Sequence, residues 1–221
     1  MSKTILFDID KTLFNTPRFT EDLLTRVDEF LKSKGILKIS GEELFNRYIY
    51  GLDQVSHFRI EELIRFSLKQ LAQFNLSKEE LNRLRELILY HLEKDYLYPD
   101  VLPTLKKLAG QGYALGIFSQ SHDRTFQEGK IRPIYRYFEP ELIFISQAKA
   151  EPEFLTKLPL KATIIDDKPE VVTALSEFAK KHDRDWQLYL IDRHKLVKAE
   201  VQAKLERLGV KNVFDLSGIE L

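Results

Sequence analysis

Polar side chains stand where several short apolar runs of the sequence end. The residues concerned are Asp8, Asp10, Thr12, Ser119, Lys149, Asp166 and Asp167. Carboxylate oxygens are the hard ligands that Mg²⁺ prefers, and hydroxyl and ammonium groups can donate hydrogen bonds to phosphate oxygens. Ligands of an open α/β sheet bind beyond the carboxyl ends of its strands. If the apolar runs are neighbouring strands, the sequence therefore predicts a site for Mg²⁺ and a phosphoryl group at one edge of the sheet.

The apolar runs have the length and composition of strands that are buried on both faces. They span residues 5–7, 114–118, 142–145, 162–165 and 188–191. Stretches with helical periodicity follow several of them, for example the stretch that contains Val171, Leu175 and Phe178. Strands that alternate with helices are typical of a parallel sheet with right-handed crossovers. We therefore predict an α/β fold with a doubly wound, Rossmann-like core.

Residues 15–97 contain no convincing strand and show several amphipathic helices instead. Their apolar faces include Leu23, Val27, Phe30 and Leu31, then Ile60, Leu63, Ile64 and Leu68, and then Leu81, Leu84, Ile88 and Leu92. Two helix starts carry the capping-box pattern, Ser40 with Glu43 and Ser77 with Glu80. We expect residues 1–14 and 98–221 to form the α/β core, and residues 15–97 to form an inserted all-helical domain.

These motifs together resemble the haloacid dehalogenase-like superfamily. The matching segments, in chain order, are Asp8-Ile9-Asp10-Lys11-Thr12-Leu13 for its DxDxT signature, Ser119, Lys149-Ala150-Glu151-Pro152, and Ile164-Ile165-Asp166-Asp167. The resemblance covers residues 4–14 and 96–192, and the helical insertion matches the family's C1 cap only in position and character. Two departures are Ala150, where a proline is commoner, and Val171, where a polar residue is often found. Four motifs in order make the resemblance specific.

The resemblance implies a catalytic role for both aspartates of the first motif. An ionised carboxylate beside a divalent cation can attack phosphorus and form an aspartyl-phosphate, which splits one difficult displacement into two easier ones. Asp8 would be that nucleophile, and Asp10 the general acid and base. The backbone carbonyl of Asp10 would also bind Mg²⁺. Family members that act as dehalogenases lack the second aspartate, so Asp10 favours phosphoryl chemistry.

Three further residues are predicted to serve the phosphate. Thr12 would also brace the acidic loop through hydrogen bonds, Ser119 would donate to a phosphate oxygen, and Lys149 would offset the crowded carboxylates and the charge of the transition state. Ser121 is an alternative to Ser119, and Lys157 is an alternative to Lys149.

Asp166 and Asp167 complete the predicted metal site with Asp8 and Asp10. Two adjacent carboxylates repel each other unless a cation offsets them. The resemblance suggests that Asp166 ligates Mg²⁺ directly, whereas Asp167 reaches it through water or holds Lys149. The sequence does not decide which aspartate has which role.

Composition narrows the classes of function. The chain of 221 residues has 34 Lys and Arg against 34 Asp and Glu, so it lacks the positive surplus that is typical of nucleic-acid binding proteins. It has no cysteine, and no apolar run approaches the ~20 residues of a membrane helix. None of its histidines has a convincing metal-binding spacing. His57 lies in the insertion and His122 lies just after Ser119. These features indicate a cytoplasmic protein without a membrane or nucleic-acid partner.

The predicted function is Mg²⁺-dependent hydrolysis of a small phosphorylated metabolite through an aspartyl-phosphate. A phosphotransferase or phosphomutase that uses the same intermediate is one alternative. A non-catalytic, phosphate-binding regulatory member of the superfamily is the other. The sequence leaves the substrate and the oligomeric state open.

Overall fold

A six-stranded, fully parallel sheet forms the centre of the larger of two compact units. The computed structural model describes residues 4–52, 58–91 and 94–220. The strands are β1 (Thr4–Phe7), β2 (Ala114–Gln120), β3 (Ile143–Ser146), β4 (Lys161–Asp166), β5 (Asp185–Ile191) and β6 (Lys211–Val213). They are arranged in the order β3-β2-β1-β4-β5-β6. This order confirms the predicted doubly wound α/β fold.

The strand order places the switch in winding direction next to β1. From β1 the chain builds β2 and β3 on one side of the sheet, and later β4, β5 and β6 on the other. The amide of Asp8 donates to the carbonyl oxygen of Ile165 at 2.9 Å, which continues the β1–β4 ladder to the point where both strands end. The carboxyl ends of β1 and β4 therefore meet at the crevice where doubly wound sheets bind ligands.

The central strands are apolar because helices cover both faces of the sheet. Ile5, Leu6 and Phe7 of β1 are fully buried. The helices of this unit are α5 (Val101–Gly110), α7 (Pro152–Leu155), α8 (Pro169–Lys181) and α9 (Ala199–Arg207). Val172 of α8 belongs to the same apolar cluster as Ile164 of β4. This packing sets the position of the strand ends that carry the polar residues.

The structure confirms the strands predicted from apolar runs and adds one that was missed. β6 is only three residues long and begins with the exposed Lys211, so it has no apolar run. It pairs with β5 at the edge of the sheet, where Ile191 is the partner of Val213.

The second compact unit consists of helices. Its helices are α1 (Thr16–Ser33), α2 (Gly41–Tyr50), α3 (Ile60–Leu71), α4 (Lys78–His91) and α6 (Arg124–Lys130). Phe19, Leu23, Val27 and Leu31 form the buried stripe of α1, as the periodicity predicts. Within the described residues 16–52, 58–91 and 94–96 no strand occurs.

The capping signals at the starts of α2 and α4 are also present in the structure. The amide of Glu43 donates to Ser40 Oγ at 3.0 Å. At the second start the exchange is reciprocal: the amide of Glu80 donates to Ser77 Oγ at 3.2 Å, and the amide of Ser77 donates to Glu80 Oε2 at 2.8 Å. Both side chains thereby satisfy amides that have no partner within their helix.

The helical unit includes one segment that lies far from the insertion in sequence. The units are residues 1–15, 97–120 and 131–221, and residues 16–96 and 121–130. Within the second unit, Phe126 lies 6.1 Å from Phe19 and 5.4 Å from Phe58, measured between ring centroids. Asp123 Oδ2 also accepts a hydrogen bond from the amide of Ile60 at 3.3 Å. Aromatic packing therefore groups residues 121–130 with the helices, although the sequence pattern assigned them to the core.

None of the helices in the described ranges combines the length and the apolar character that crossing a bilayer requires.

Candidate active site

Asp8 is buried at the end of β1, where two side chains donate to one of its oxygens. Its residue surface is only 3% exposed. Ser119 Oγ donates to Asp8 Oδ1 at 3.0 Å, and Lys149 Nζ donates to the same oxygen at 2.7 Å. Because β1 and β2 pair in parallel, with Phe7 beside Ile117, Ser119 reaches the end of β1 from the neighbouring strand. The structure thus brings Asp8, Ser119 and Lys149 together, as the strand-end pattern predicts.

Lys149 lies in the loop between β3 and α7, and its ammonium group bridges two carboxylates. Its side chain is 1% exposed, and its Nζ also donates to Asp166 Oδ2 at 2.5 Å. Burial alone would lower the pKa of Lys149, but the charges of Asp166 and Asp8 outweigh this effect and raise it above the ordinary value. The two carboxylates therefore favour the charged form of Lys149.

The two alternatives that the sequence left open lie elsewhere. Lys157 is exposed, and its Nζ lies 5.8 Å from the centroid of the Phe154 ring. Ser121 belongs to the helical unit, where its Oγ accepts a hydrogen bond from the amide of Asp123 at 3.0 Å. Neither residue belongs to the group formed by Asp8, Ser119, Lys149 and the acids of β4.

Asp166 holds the lysine and also belongs to the acidic group that could bind a metal ion. Its Oδ2 accepts from Lys149, and its Oδ1 accepts from the amide of Lys168 at 3.0 Å. Complete burial raises the pKa of Asp166 from 3.8 to about 6, although Lys149 acts in the opposite direction. The suggestion that Asp167 holds Lys149 is therefore not what the structure shows, because Asp166 makes that contact.

Asp167 presents an oxygen that lacks a hydrogen bond. Its Oδ1 is buried and has no hydrogen-bond partner among the described residues. Burial raises the pKa of Asp167 from 3.8 to about 8, and the nearby charges of Asp8 and Asp166 add to this effect. A buried acceptor without a partner is costly unless a ligand or water satisfies it. This orphaned oxygen is well suited to bind a cation.

Asp10 and Thr12 lie in a tight loop that directly follows Asp8. The amides of Leu13 and Phe14 both donate to the carbonyl oxygen of Ile9, at 3.0 and 2.8 Å, and Lys11 has the left-handed φ of 57°. Asp10 is half-buried in this loop, and its carboxylate is not part of the close acidic group. The roles of Asp10 as acid, base and carbonyl ligand stay predictions.

Thr12 is fully buried, but its hydroxyl does not form the predicted brace. Thr12 Oγ1 has no hydrogen-bond partner in the described part of the chain. The contact that holds Thr12 is instead made by its backbone carbonyl, which accepts from Arg193 Nε at 2.9 Å and from Nη2 at 2.7 Å. Its role in phosphate binding stays a prediction.

The comparison with known proteins identifies the family. A family model of haloacid dehalogenase-like hydrolases matches residues 2–159, which is more than half of the chain. The chain belongs to the haloacid dehalogenase-like hydrolases. This confirms the resemblance that the four motifs indicate.

Similar proteins agree with this assignment. The pyrophosphatase PpaX of Bacillus cereus (strain Q1) is 27% identical to this hydrolase over 175 residues, which are 76% of this chain and 70% of that protein. The 2-haloacid dehalogenase of Pseudomonas syringae pv. Tomato DC3000 has a TM-score of 0.63 at 18% identity, covering 98% of this chain and 96% of its own. A HAD phosphatase from Thermococcus onnurineus has a TM-score of 0.53 at 22% identity, covering 96% of this chain and 100% of its own. The two solved structures show the shared fold.

The acids of this hydrolase could bind a divalent cation. The family generally uses Mg²⁺. One carboxylate oxygen from each of Asp8, Asp166 and Asp167 lies within 4.8 Å of the others. With Lys149 as their neighbouring cation, these acids carry a formal surplus of two negative charges. The charge surplus and the orphaned Asp167 oxygen both match a hard cation with oxygen ligands. Asp8, Asp166 and Asp167 would hold it, and Lys149 would offset part of their remaining charge.

We expect Mg²⁺ to raise the thermal unfolding midpoint of this hydrolase. An ion that binds only the folded state stabilises it by mass action, by about 2.7 kcal/mol at a concentration 100-fold above the dissociation constant. Differential scanning fluorimetry in EDTA and then in excess Mg²⁺ measures the shift. Asp167→Asn should remove most of it, whereas Asp185→Asn, at an exposed aspartate paired with Lys161, should keep it. An equal shift in both variants would contradict the assignment of Asp167.

The stabilisation by Mg²⁺ should also grow with pH. The raised pKa values of Asp166 and Asp167, about 6 and about 8, mean that the metal-free folded protein binds more protons than the unfolded chain. The contribution of these two acids to the free energy of unfolding therefore falls as pH rises from about 4 to about 8. The ion opposes this loss because it binds the ionised acids, so the midpoint shift should be larger at pH 8 than at pH 6. A shift that shrinks over this range would contradict the charge balance described above.

Proposed function

We propose that this hydrolase is a Mg²⁺-dependent phosphatase that hydrolyses a small phosphomonoester with Asp8 as the nucleophile. The observation that carries the proposal is the position of Asp8, whose Oδ1 accepts from Ser119 and Lys149 at the end of β1. The family assignment establishes hydrolase chemistry, and the pyrophosphatase relative supports phosphoryl transfer as its type.

The reaction would use the buried residues in two steps. An oxygen of Asp8 attacks phosphorus, the bond between phosphorus and the leaving oxygen breaks, and water later releases phosphate from Asp8. Lys149 and Ser119 already donate to Asp8, so both donors would lie beside the phosphoryl group that Asp8 attacks and could stabilise its developing charge. A bound Mg²⁺ would supply additional neutralisation of the phosphate charge.

Asp10 would transfer the protons of both steps. It would donate a proton to the leaving oxygen in the first step and take one from water in the second. Its position two residues after Asp8 supports this role. The presence of an aspartate there also favours phosphatase over dehalogenase activity, since the dehalogenases of the superfamily lack it.

The natural substrate is proposed as a small phosphorylated metabolite, with no nucleic-acid partner. Inorganic pyrophosphate is the first compound to compare with phosphomonoesters, because curated relatives are named pyrophosphatases. The role of the helical unit as the family's C1 cap stays a prediction, as does a cytoplasmic location.

Release of nitrophenolate from p-nitrophenyl phosphate tests the proposed activity. Hydrolysis should require Mg²⁺ and stop in EDTA. A panel of phosphometabolites with pyrophosphate, assayed at fixed Mg²⁺, should then give at least one preferred substrate. No metal-dependent release of phosphate from folded protein with any panel member would contradict the proposal and favour a non-catalytic, phosphate-binding member. Phosphate transfer to an added sugar in place of water would favour a phosphotransferase or mutase.

A further inference from the structure

We propose that Arg193 is a positioning residue that holds the acidic loop, residues 9–14, so that Asp10 can transfer its proton. The inference deepens the proposed phosphatase function and depends on it. Arg193 does not belong to the group formed by Asp8, Ser119, Lys149, Asp166 and Asp167. It acts from the carboxyl end of β5, through the backbone of Thr12.

The guanidinium group of Arg193 is bound to the loop by two hydrogen bonds. Its Nε and Nη2 donate to the carbonyl oxygen of Thr12 at 2.9 and 2.7 Å. Thr12 is fully buried, so water does not reach its carbonyl oxygen. Removing the guanidinium would take away the hydrogen bonds that replace water at this oxygen. The fork geometry of arginine allows both bonds at once, which a lysine ammonium cannot reproduce.

Arg193 is itself fixed from a second side. Its Nη1 and Nη2 donate to the two carboxylate oxygens of Asp100, each at 3.0 Å. Asp100 directly precedes α5 and also accepts a hydrogen bond from the amide of Leu216 at 2.8 Å. The side chain of Arg193 is only 6% exposed and that of Asp100 is 22% exposed, so the guanidinium is shielded from solvent and the two parallel hydrogen bonds hold it in one geometry.

Tyr98 completes the attachment of the loop. The guanidinium carbon of Arg193 lies 3.9 Å from the centroid of the Tyr98 ring, which is a cation–π contact. The amide of Tyr98 donates to the carbonyl oxygen of Leu13 at 3.0 Å. Thr12 and Leu13 are therefore both tied to the segment 98–100, and Arg193 joins the two.

Asp8 and the loop that follows it are held by different groups. Asp8 is fixed by the β1–β4 ladder and by Ser119 and Lys149. Asp10 lies in a turn closed by the carbonyl oxygen of Ile9 and strained by the left-handed Lys11, whose φ is 57°. Loss of Arg193 should therefore displace Asp10 while leaving Asp8 in place.

This difference has a chemical consequence that can be measured. When Asp8 attacks phosphorus, the proton of Asp10 passes to the leaving oxygen as its bond to phosphorus breaks. A nitrophenolate leaves without this proton, whereas an alkoxide needs it. A displaced Asp10 should therefore slow the reaction of an alkyl phosphate more than that of p-nitrophenyl phosphate.

The experiment compares kcat/KM for an alkyl phosphate and for p-nitrophenyl phosphate in Arg193→Ala. We expect a loss of about 10- to 100-fold for the alkyl phosphate and a loss of less than about 3-fold for p-nitrophenyl phosphate. Arg193→Lys should lie between wild type and Arg193→Ala. Arg184→Ala is the matched control, because Arg184 also donates to two backbone carbonyls, those of Leu158 and Thr156, and lies against the Trp186 ring. Arg184→Ala should change kcat/KM equally for both substrates, or for neither.

The outcomes separate this inference from the proposed function. Asp10→Ala should show the same selective loss, and more strongly. If wild type shows no activity, the proposed function is wrong. If Asp10→Ala lowers kcat/KM equally for both substrates, the proposed role of Asp10 is wrong. The positioning role of Arg193 is wrong if Asp10→Ala lowers kcat/KM selectively for the alkyl phosphate but Arg193→Ala lowers it equally for both substrates or for neither. Should Arg193→Ala fail to fold, Asp100→Asn, which weakens the same fork, is subject to the same comparison.

Discussion

Asp8→Asn should lower phosphate release by at least about 10⁴-fold while the protein stays folded. A neutral amide has no ionised oxygen to attack phosphorus, so no covalent intermediate can form. The fold should persist because the amide oxygen has the same size as the carboxylate oxygen it replaces and can still accept from Ser119 and Lys149. Steady-state hydrolysis at saturating Mg²⁺, with circular dichroism of the same preparation, measures both expectations.

The control for this variant is the same substitution on the surface. Asp185 is exposed and pairs with Lys161, so Asp185→Asn should keep near wild-type activity. In EDTA, Asp8→Asn should be at least as stable as wild type, because it removes one charge from a cluster with excess negative charge. Activity of Asp8→Asn within about tenfold of wild type would rule out Asp8 as the nucleophile, since nucleophile loss costs far more.

Lys149→Met should have the second largest effect, because it acts on both catalysis and stability. Loss of a donor that stabilises transition-state charge costs about 10²- to 10³-fold in kcat. The substitution also leaves Asp8 and Asp166 buried without their cation, and breaking a buried ion pair costs about 3–5 kcal/mol. Urea unfolding in EDTA should show this loss, and Mg²⁺ should recover part of it by offsetting the same charges.

Lys157→Met is the matched control for that variant. Lys157 lies eight positions further along the chain, but it is exposed and lies against the Phe154 ring. It should retain full activity and nearly full stability. If the two lysine variants lost activity to the same extent, Lys149 would not be the residue that serves the phosphate.

Local sequence signals were sufficient for the fold and for most of the candidate site. The first five strands are apolar because they are buried on both faces, and so each polar residue that follows one marks a strand end. This reasoning located Asp8, Ser119 and Lys149, which the structure joins through hydrogen bonds. Arg193 lies two positions beyond the run at 188–191, and its partner in the loop is a backbone carbonyl, which side-chain patterns do not reveal.

The features that the sequence could not provide depend on contacts between distant residues. Asp166 and Asp167 are chemically identical, and only their surroundings show that one holds Lys149 while the other has an orphaned oxygen. The residue type of Thr12 predicts a contact through its hydroxyl, whereas the structure shows one through its carbonyl. Backbone groups leave no signal in side-chain patterns. Phe126 joins the helical unit by aromatic packing with Phe19 and Phe58, which periodicity does not reveal.

The most direct test of the account is to look for the phosphoryl group on Asp8 during turnover. The hydrolase is mixed with excess phosphomonoester and Mg²⁺, quenched in acid, digested and analysed by mass spectrometry. We predict that the peptide containing Asp8 gains the mass of one phosphoryl group, that fragmentation places it on Asp8, and that hydroxylamine removes it. Phosphate release without any modified peptide, or with the phosphoryl group on another residue, would contradict the account.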